Sequence, residues 1–292
     1  MAHILVTGAT GNVGSAVLRS LTANGVEARV AGRAGRIADR TPDNVVAFDF
    51  TDPGTWSAAF RGVESMFLMR PPVIGNVRRD LLPAVAAARN AGVRHVVFLS
   101  LQGAEKNKVV PHAAVEKWLR SSGLVWTFVR ASFFHQNLST THAGDIRDRD
   151  EIVVPAGRGA TAFVDAEDVG AVAATALLDP SAHAGKAWTV TGPRALTYDQ
   201  VADILSTELS RPIRYNRPGL LTYIRHAHGD LEMPWGMVAV TSAIYTIARL
   251  GLAAGVTDDT HTVLGRDPID FTEFAHRERH AWTHRLAAPD PA

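Results

Sequence analysis

Short apolar runs rich in β-branched residues punctuate the first half of the chain, and a stretch of helical spacing follows most of them. Residues 4–6, 28–31, 45–48, 65–69, 95–99 and 125–129 read as strands. Helices are predicted over 12–23, 77–91 and 113–121, the last two closed by Gly92 and Gly123. Strands that are apolar on both faces and alternate with helices predict a parallel sheet covered on both sides. The second half is less regular. It predicts a helix over 165–178, a strand over 187–191 and a helix capped by Thr197. Two helices around Pro234 and a final helix over 270–285 complete the pattern. The stretch 234–256 carries Arg249 as its one charge. Thr241, Ser242 and Thr246 interrupt it, so it reads as a buried or cleft-lining helix and not as a membrane span.

Composition narrows the chemistry. With 30 basic and 29 acidic residues the formal charge is +1, which predicts no nucleic-acid partner. Cysteine is absent, which removes thiolate nucleophiles, disulfides and cysteine-ligated metal or iron–sulfur sites. Only Lys106, Lys108, Lys117 and Lys186 are lysine. The opening residues carry neither a basic region nor a long apolar region, so a cytoplasmic location is expected.

The first strand runs into Val6-Thr7-Gly8-Ala9-Thr10-Gly11-Asn12-Val13-Gly14. A strand, a GxxGxxG turn and a helix in that order form the context a dinucleotide fingerprint requires. Gly8 permits the tight turn, Gly11 lets the backbone approach a diphosphate, and Gly14 lets helix and sheet pack closely. Thr10, Asn12 and Val13 complete the predicted cradle, with helix-start N–H groups facing the anion. The second strand ends in Val30-Ala31-Gly32-Arg33, with no acid to take a ribose 2′-hydroxyl. Arg33, with Arg36 close behind, suits a 2′-phosphate, so NADP(H) is expected over NAD(H). Asp49 ends the third strand beside the adenine position. Met69, Pro71 and Pro72 end the fourth along the ribose–nicotinamide path.

With these motifs the chain resembles the NmrA-like family of atypical short-chain dehydrogenase/reductases. The resemblance rests on the glycine turn, on 95–100 followed by 114–119 and 122–124, and on 126–130 with Phe134 and Asn137. It continues through Phe163–Val169 and 196–198. The segment 268–271 is similar to the subset of quinone, triphenylmethane-dye and ergot-alkaloid reductases. The resemblance covers nearly the whole chain. It implies an α/β fold: a Rossmann-type, doubly wound parallel sheet carrying NADP(H), with a smaller C-terminal α/β substrate subdomain. The boundary is placed between 1–158 and 159–292, with the strand at 187–191 returning to the first domain. Members are reductases or cofactor-sensing regulators.

Ordinary short-chain dehydrogenases use Tyr-x-x-x-Lys, in which lysine lowers the tyrosine pKa. Tyr198, Tyr215, Tyr223 and Tyr245 are followed four residues on by Ala202, Gly219, Ala227 and Arg249, so no pair exists. The family often places a lysine at the helix start after the fifth strand, and His112 stands there. His112 is therefore the acid–base candidate, with Ser100 beside it as a catalytic or cofactor-binding hydroxyl and Gln102 as a substrate contact. Phe133, Phe134, Tyr223 and Trp235 are candidate walls for an aromatic or polycyclic substrate. Asp165 and Asp168 read as a structural acidic turn. His276, His280 and His284 share a helix face, but their charged neighbours suggest a solvated helix, and no metal is expected. The favoured function is NADPH-dependent reduction of a quinone, enone or iminium by a monomer or homodimer. A non-catalytic NADP(H) sensor, or a redox-neutral isomerase or cyclase on the same fold, is the alternative.

Overall fold

The computed structural model describes residues 4–33 and 44–283. The chain forms two compact units. Unit 1 comprises Met1–Ser132, Ala166–Val190 and Thr257–Asp267, and unit 2 comprises Phe133–Asp165, Thr191–Val256 and Pro268–Ala292.

In unit 1 the strands are β1 (Ile4–Val6), β2 (Arg29–Gly32), β3 (Val45–Ala47), β4 (Ser65–Met69), β5 (His95–Leu101), β6 (Val125–Ala131) and β7 (Ala187–Val190). They make one parallel sheet in the order β7-β6-β5-β4-β1-β2-β3. The order reverses between β1 and β4, which is where open α/β sheets bind ligands. Leu5, Val6, Met66, Phe67, Leu68, Val96, Val97 and Phe98 are all buried, as a sheet covered on both faces requires.

Helix α1 (Asn12–Ala23) buries Val13, Ala16, Val17 and Leu21, a stripe at helical spacing. It lies against α4 (Ala166–Leu178), where a Cβ on Gly170 would come within 2.4 Å of the Ala16 Cβ. Helix α2 (Leu82–Asn90) is preceded by a separate turn, Val77–Asp80. The single helix predicted over 77–91 breaks at Leu81 because Pro83 has no N–H to offer the carbonyl of Arg79. Gly92 and Gly123 take positive φ, 107° and 81°, after α2 and α3 (Pro111–Ser121).

Unit 2 is built around α5 (Tyr198–Leu209), α6 (Leu220–Gly229), α7 (Trp235–Arg249) and α8 (Phe271–Arg277). Thr197 and Gln200 form the expected capping box at the start of α5. The final helix is shorter than predicted. It stops at Arg277 and continues only as one tighter turn, Arg279–Ala281. Helix α7, expected to be buried or cleft-lining, is buried on one face only. Val238, Tyr245 and Ala248 are its buried residues, and Val240, Ile244 and Ile247 are exposed. Among the described residues no helix is long and apolar enough to cross a membrane.

Candidate cofactor and active site

The turn from β1 to α1 is held by local chemistry. Gly8 adopts φ 66°, a conformation few L side chains adopt, and its carbonyl accepts from Gly11 N at 3.0 Å. A Cβ on Gly14 would lie 2.2 Å from the Gly8 oxygen, so helix and turn meet backbone to backbone. A Cβ on Gly11 would meet only that oxygen, at 3.4 Å. Packing within the chain therefore does not demand glycine at position 11, and room for a close ligand does. Helix α1 has no side-chain cap and no acidic residue in its first turn. Its first N–H groups lack intrahelical acceptors and carry the positive end of the helix dipole. These features fit a dinucleotide diphosphate. Thr10 and Asn12 are exposed, and Val13 is buried, so Val13 can offer only its backbone.

Thr7 was not singled out by its sequence context. Its hydroxyl donates to Phe67 O at 2.9 Å and accepts from Met69 N at 2.9 Å. It thus ties the end of β1 to the end of β4 at the point where the sheet order reverses. Met69 lies over Gly8, where a Cβ would come 2.3 Å from its Cε.

Arg33 is exposed directly after β2. Arg36 lies outside the described residues. The Asp49 carboxylate accepts from Thr51 N at 2.8 Å and Thr51 Oγ1 at 2.7 Å. Those two bonds, and to a lesser degree the Arg33 charge, hold it below the usual carboxylate range.

Beyond β5 the structure assembles a buried ionic cluster. Glu116, 1% exposed, accepts from Ser100 Oγ at 2.7 Å, from Arg120 at 2.9 Å and from both Nε and Nη2 of Arg130 at 3.0 and 2.8 Å. Arg130 also pairs with Glu105 at 3.1 Å. Burial alone would raise the Glu116 pKa, but the bonds from Arg130 and Ser100 outweigh it and hold the carboxyl below its ordinary value. Ser100 is thus an anchored, buried hydroxyl that donates to Glu116. Gln102 follows half-buried, its N–H donated to Ala131 O at 2.9 Å. Pro71 is half-buried in the turn after β4.

His112 stands at the second position of α3, 5.9 Å centroid to centroid from the Phe98 ring. Its Nδ1 is buried without a partner. Burial, then the Arg70 cation, push its pKa down to about 4.

The four aromatic candidates lie in unit 2 and do not share one environment. Phe133 and Phe134 are half-buried in a two-residue strand. Tyr223 is fully buried, 5.4 Å from the Tyr245 ring, so it is a core residue and not the substrate wall expected. Trp235 is 63% exposed and stacks on His228 at 4.1 Å. No tyrosine is a ready proton donor: burial raises Tyr198, Tyr223 and Tyr245 and pushes Tyr215 up to about 12. Asp165 accepts from Gln136 at 2.8 Å and Arg277 at 2.7 Å within unit 2, and Asp168 pairs with Arg266 at 2.7 Å within unit 1.

A sequence profile of the NmrA-like family matches residues 1–233. The chain belongs to the NmrA-like family. Within reach of this NmrA-like protein stands the NAD(P)H azoreductase of Xenophilus azovorans, 35% identical over 93% of this chain and 96% of that one. A (4-alkanoyl-5-oxo-2,5-dihydrofuran-3-yl)methyl phosphate reductase of Streptomyces griseus is 36% identical over 96% and 99%. Among solved structures, the Citrobacter sp. triphenylmethane reductase complexed with NADP(H) superposes with a TM-score of 0.81 at 24% identity, covering 95% of this chain and 100% of that one. The NmrA-like Rossmann fold is thereby shared over nearly the whole chain.

Proposed function

We propose that the protein is an NAD(P)H-dependent reductase that passes hydride to a conjugated small molecule such as a quinone, enone or iminium. The observation that carries this reading is the β1–α1 turn at the switch point, where the helix start has no side-chain cap and a side chain at Gly11 would meet little of the protein. The reductase names of relatives at 35% and 36% identity support it. Gly8, Gly11 and Gly14, with the N–H groups of Asn12 and Val13, would hold the diphosphate. Arg33 would take the 2′-phosphate. Met69 and Pro71 would border the ribose and nicotinamide. When bound, the cofactor supplies the hydride and the protein supplies orientation. Acceptors with a built-in electron sink need no strong enzymic acid, which agrees with a chain whose tyrosines are all raised and whose His112 is neutral at pH 7. Oxidation of NADPH across a panel of quinones, azo dyes and iminium salts tests the reading. Tight NADPH binding without turnover of any acceptor would favour a sensor instead.

Two expectations follow. Arg33→Ala should weaken NADPH about 10- to 100-fold, the value of a charge-assisted pair at roughly 1.5–3 kcal/mol, and leave NADH binding nearly unchanged. Calorimetry with both cofactors decides it, and equal losses would remove Arg33 as the selector. His112 is a neutral imidazole near neutrality, with no imidazolium proton to give, so the pH–rate profile between 5.5 and 8.5 should lack a step that His112→Gln abolishes. A step near pH 6.5 that is lost in the variant would restore His112 as general acid.

A further inference from the structure

Arg70 follows directly on Met69, the last residue of β4, and so stands at the carboxyl end of the sheet beside the β1/β4 switch point. One arm of its guanidinium is occupied. Nη1 donates to Pro71 O at 3.2 Å, Pro72 O at 3.4 Å and Ile74 O at 2.7 Å, which staples the turn after β4. The other edge is not. Nε is buried without a partner, and among the described residues the guanidinium's hydrogen bonds all come from Nη1. No carboxylate of the described residues pairs with this cation, although it is largely desolvated and its pKa is lowered by burial. Buried cations are normally paired, because stripping water from an unpaired charge is costly. The guanidinium is also close enough to His112 to depress its imidazole, which places the charge toward β5 and α3. There a second buried polar atom, His112 Nδ1, likewise has no partner. Two orphaned polar atoms, one just after β4 and one in the first turn of α3, call for a ligand.

We propose that Arg70 is an anion subsite for the acceptor: its free Nε–Nη2 edge takes a carboxylate, sulfonate or phosphate group carried by the conjugated substrate. The inference rests on the reductase reading and names its substrate class. An Nε–Nη2 edge presents two parallel N–H groups at the spacing of two oxygens of such an anion, which a lysine does not do. The rival source of the same chemistry is the cofactor's own phosphates. NADPH affinity in the Arg70 variants separates the two sources.

The test pairs 1,4-naphthoquinone with its 2-sulfonate as acceptors and compares each variant with the wild type, so intrinsic reactivity cancels. Arg70→Met should raise KM for the sulfonate about 10- to 100-fold and change kcat/KM for the neutral quinone by less than about threefold. Arg70→Lys should fall between, since it keeps a charge and loses the fork. NADPH affinity, read by calorimetry, should stay within about twofold in both variants. A parallel loss on both acceptors overturns the proposal, because Arg70 would then only staple its turn. A tenfold loss of NADPH affinity overturns it too and assigns Arg70 to the cofactor. Binding of naphthalene-2-sulfonate to the NADP+-saturated protein is titrated separately, in the wild type and in Arg70→Lys. If the wild type turns over neither quinone, the reductase reading fails alone, and the subsite stands or falls on whether this titration is lost with Arg70.

Discussion

Gly14→Ala should lose NADPH binding by at least about 100-fold and melt several degrees below the wild type. The added Cβ would lie 2.2 Å from the Gly8 oxygen, 2.6 Å from the Gly8 carbonyl carbon and 2.9 Å from the Ala9 Cα. All three are backbone atoms, so no rotamer change relieves the overlap, and α1 must move off the turn. Overpacking of this kind costs about 1–3 kcal/mol. Displacing the helix start also removes the N–H groups offered to the diphosphate, and two charge-assisted bonds at about 1.5 kcal/mol each account for the affinity loss. Gly11→Ala is the matched control. Its Cβ meets only the Gly8 oxygen at 3.4 Å, so the melting temperature should hold while NADPH affinity falls. Calorimetry and thermal melts of both variants separate packing from ligand approach. A Gly14→Ala protein that binds and melts as the wild type does would sink the diphosphate assignment of this turn.

Glu116→Ala should destabilise unit 1 by about 3 kcal/mol, because removing one member of a buried ionic cluster leaves the rest uncompensated. Arg130, only 9% exposed, would keep Glu105 alone, and the Ser100 hydroxyl would lose its acceptor. Glu116→Gln preserves shape and should cost less. The pH dependence has a definite sign. The folded carboxyl titrates below its ordinary value of 4.5, so its contribution is full above that pH. It fades as pH falls through the lower folded value. The stability gap between wild type and Glu116→Gln should therefore be widest near neutrality and narrow as pH falls below 4.5. Denaturant unfolding at pH 7, 5 and 3.5 measures it, and a gap constant across that range would remove the cluster's ionic role.

Several parts of the site were legible without coordinates because they are written in consecutive residues. The Gly8, Gly11 and Gly14 spacing after a strand, and Arg33 after β2 where an acid is usual, are local facts. The absence of a Tyr-x-x-x-Lys pair is equally local. A turn's φ requirement and a helix start's free N–H groups depend on a few neighbouring positions, so the pattern carries them. The break at Leu81 is local too, yet the helical spacing over 77–91 concealed the effect of Pro83.

Other parts depended on partners far along the chain. Thr7 became a clamp only when β4, 62 residues on at Met69, arrived beside β1. Glu116 reads as an ordinary helical acid until β5 brings Ser100 and β6 brings Arg130 against it. Tyr223 and Trp235 both read as aromatic walls, and packing put one in a core and the other at the surface. Arg70 looks like one arginine among many. What sets it apart is which nitrogen is spent on its own turn and which is buried without a partner. The amino-acid sequence by itself determined the family, the Rossmann sheet and the glycine turn, since these follow from backbone conformation and local spacing. The tertiary structure alone decided which polar groups are satisfied and which are orphaned, because the free energy of a buried charge is set by neighbours that only the fold supplies.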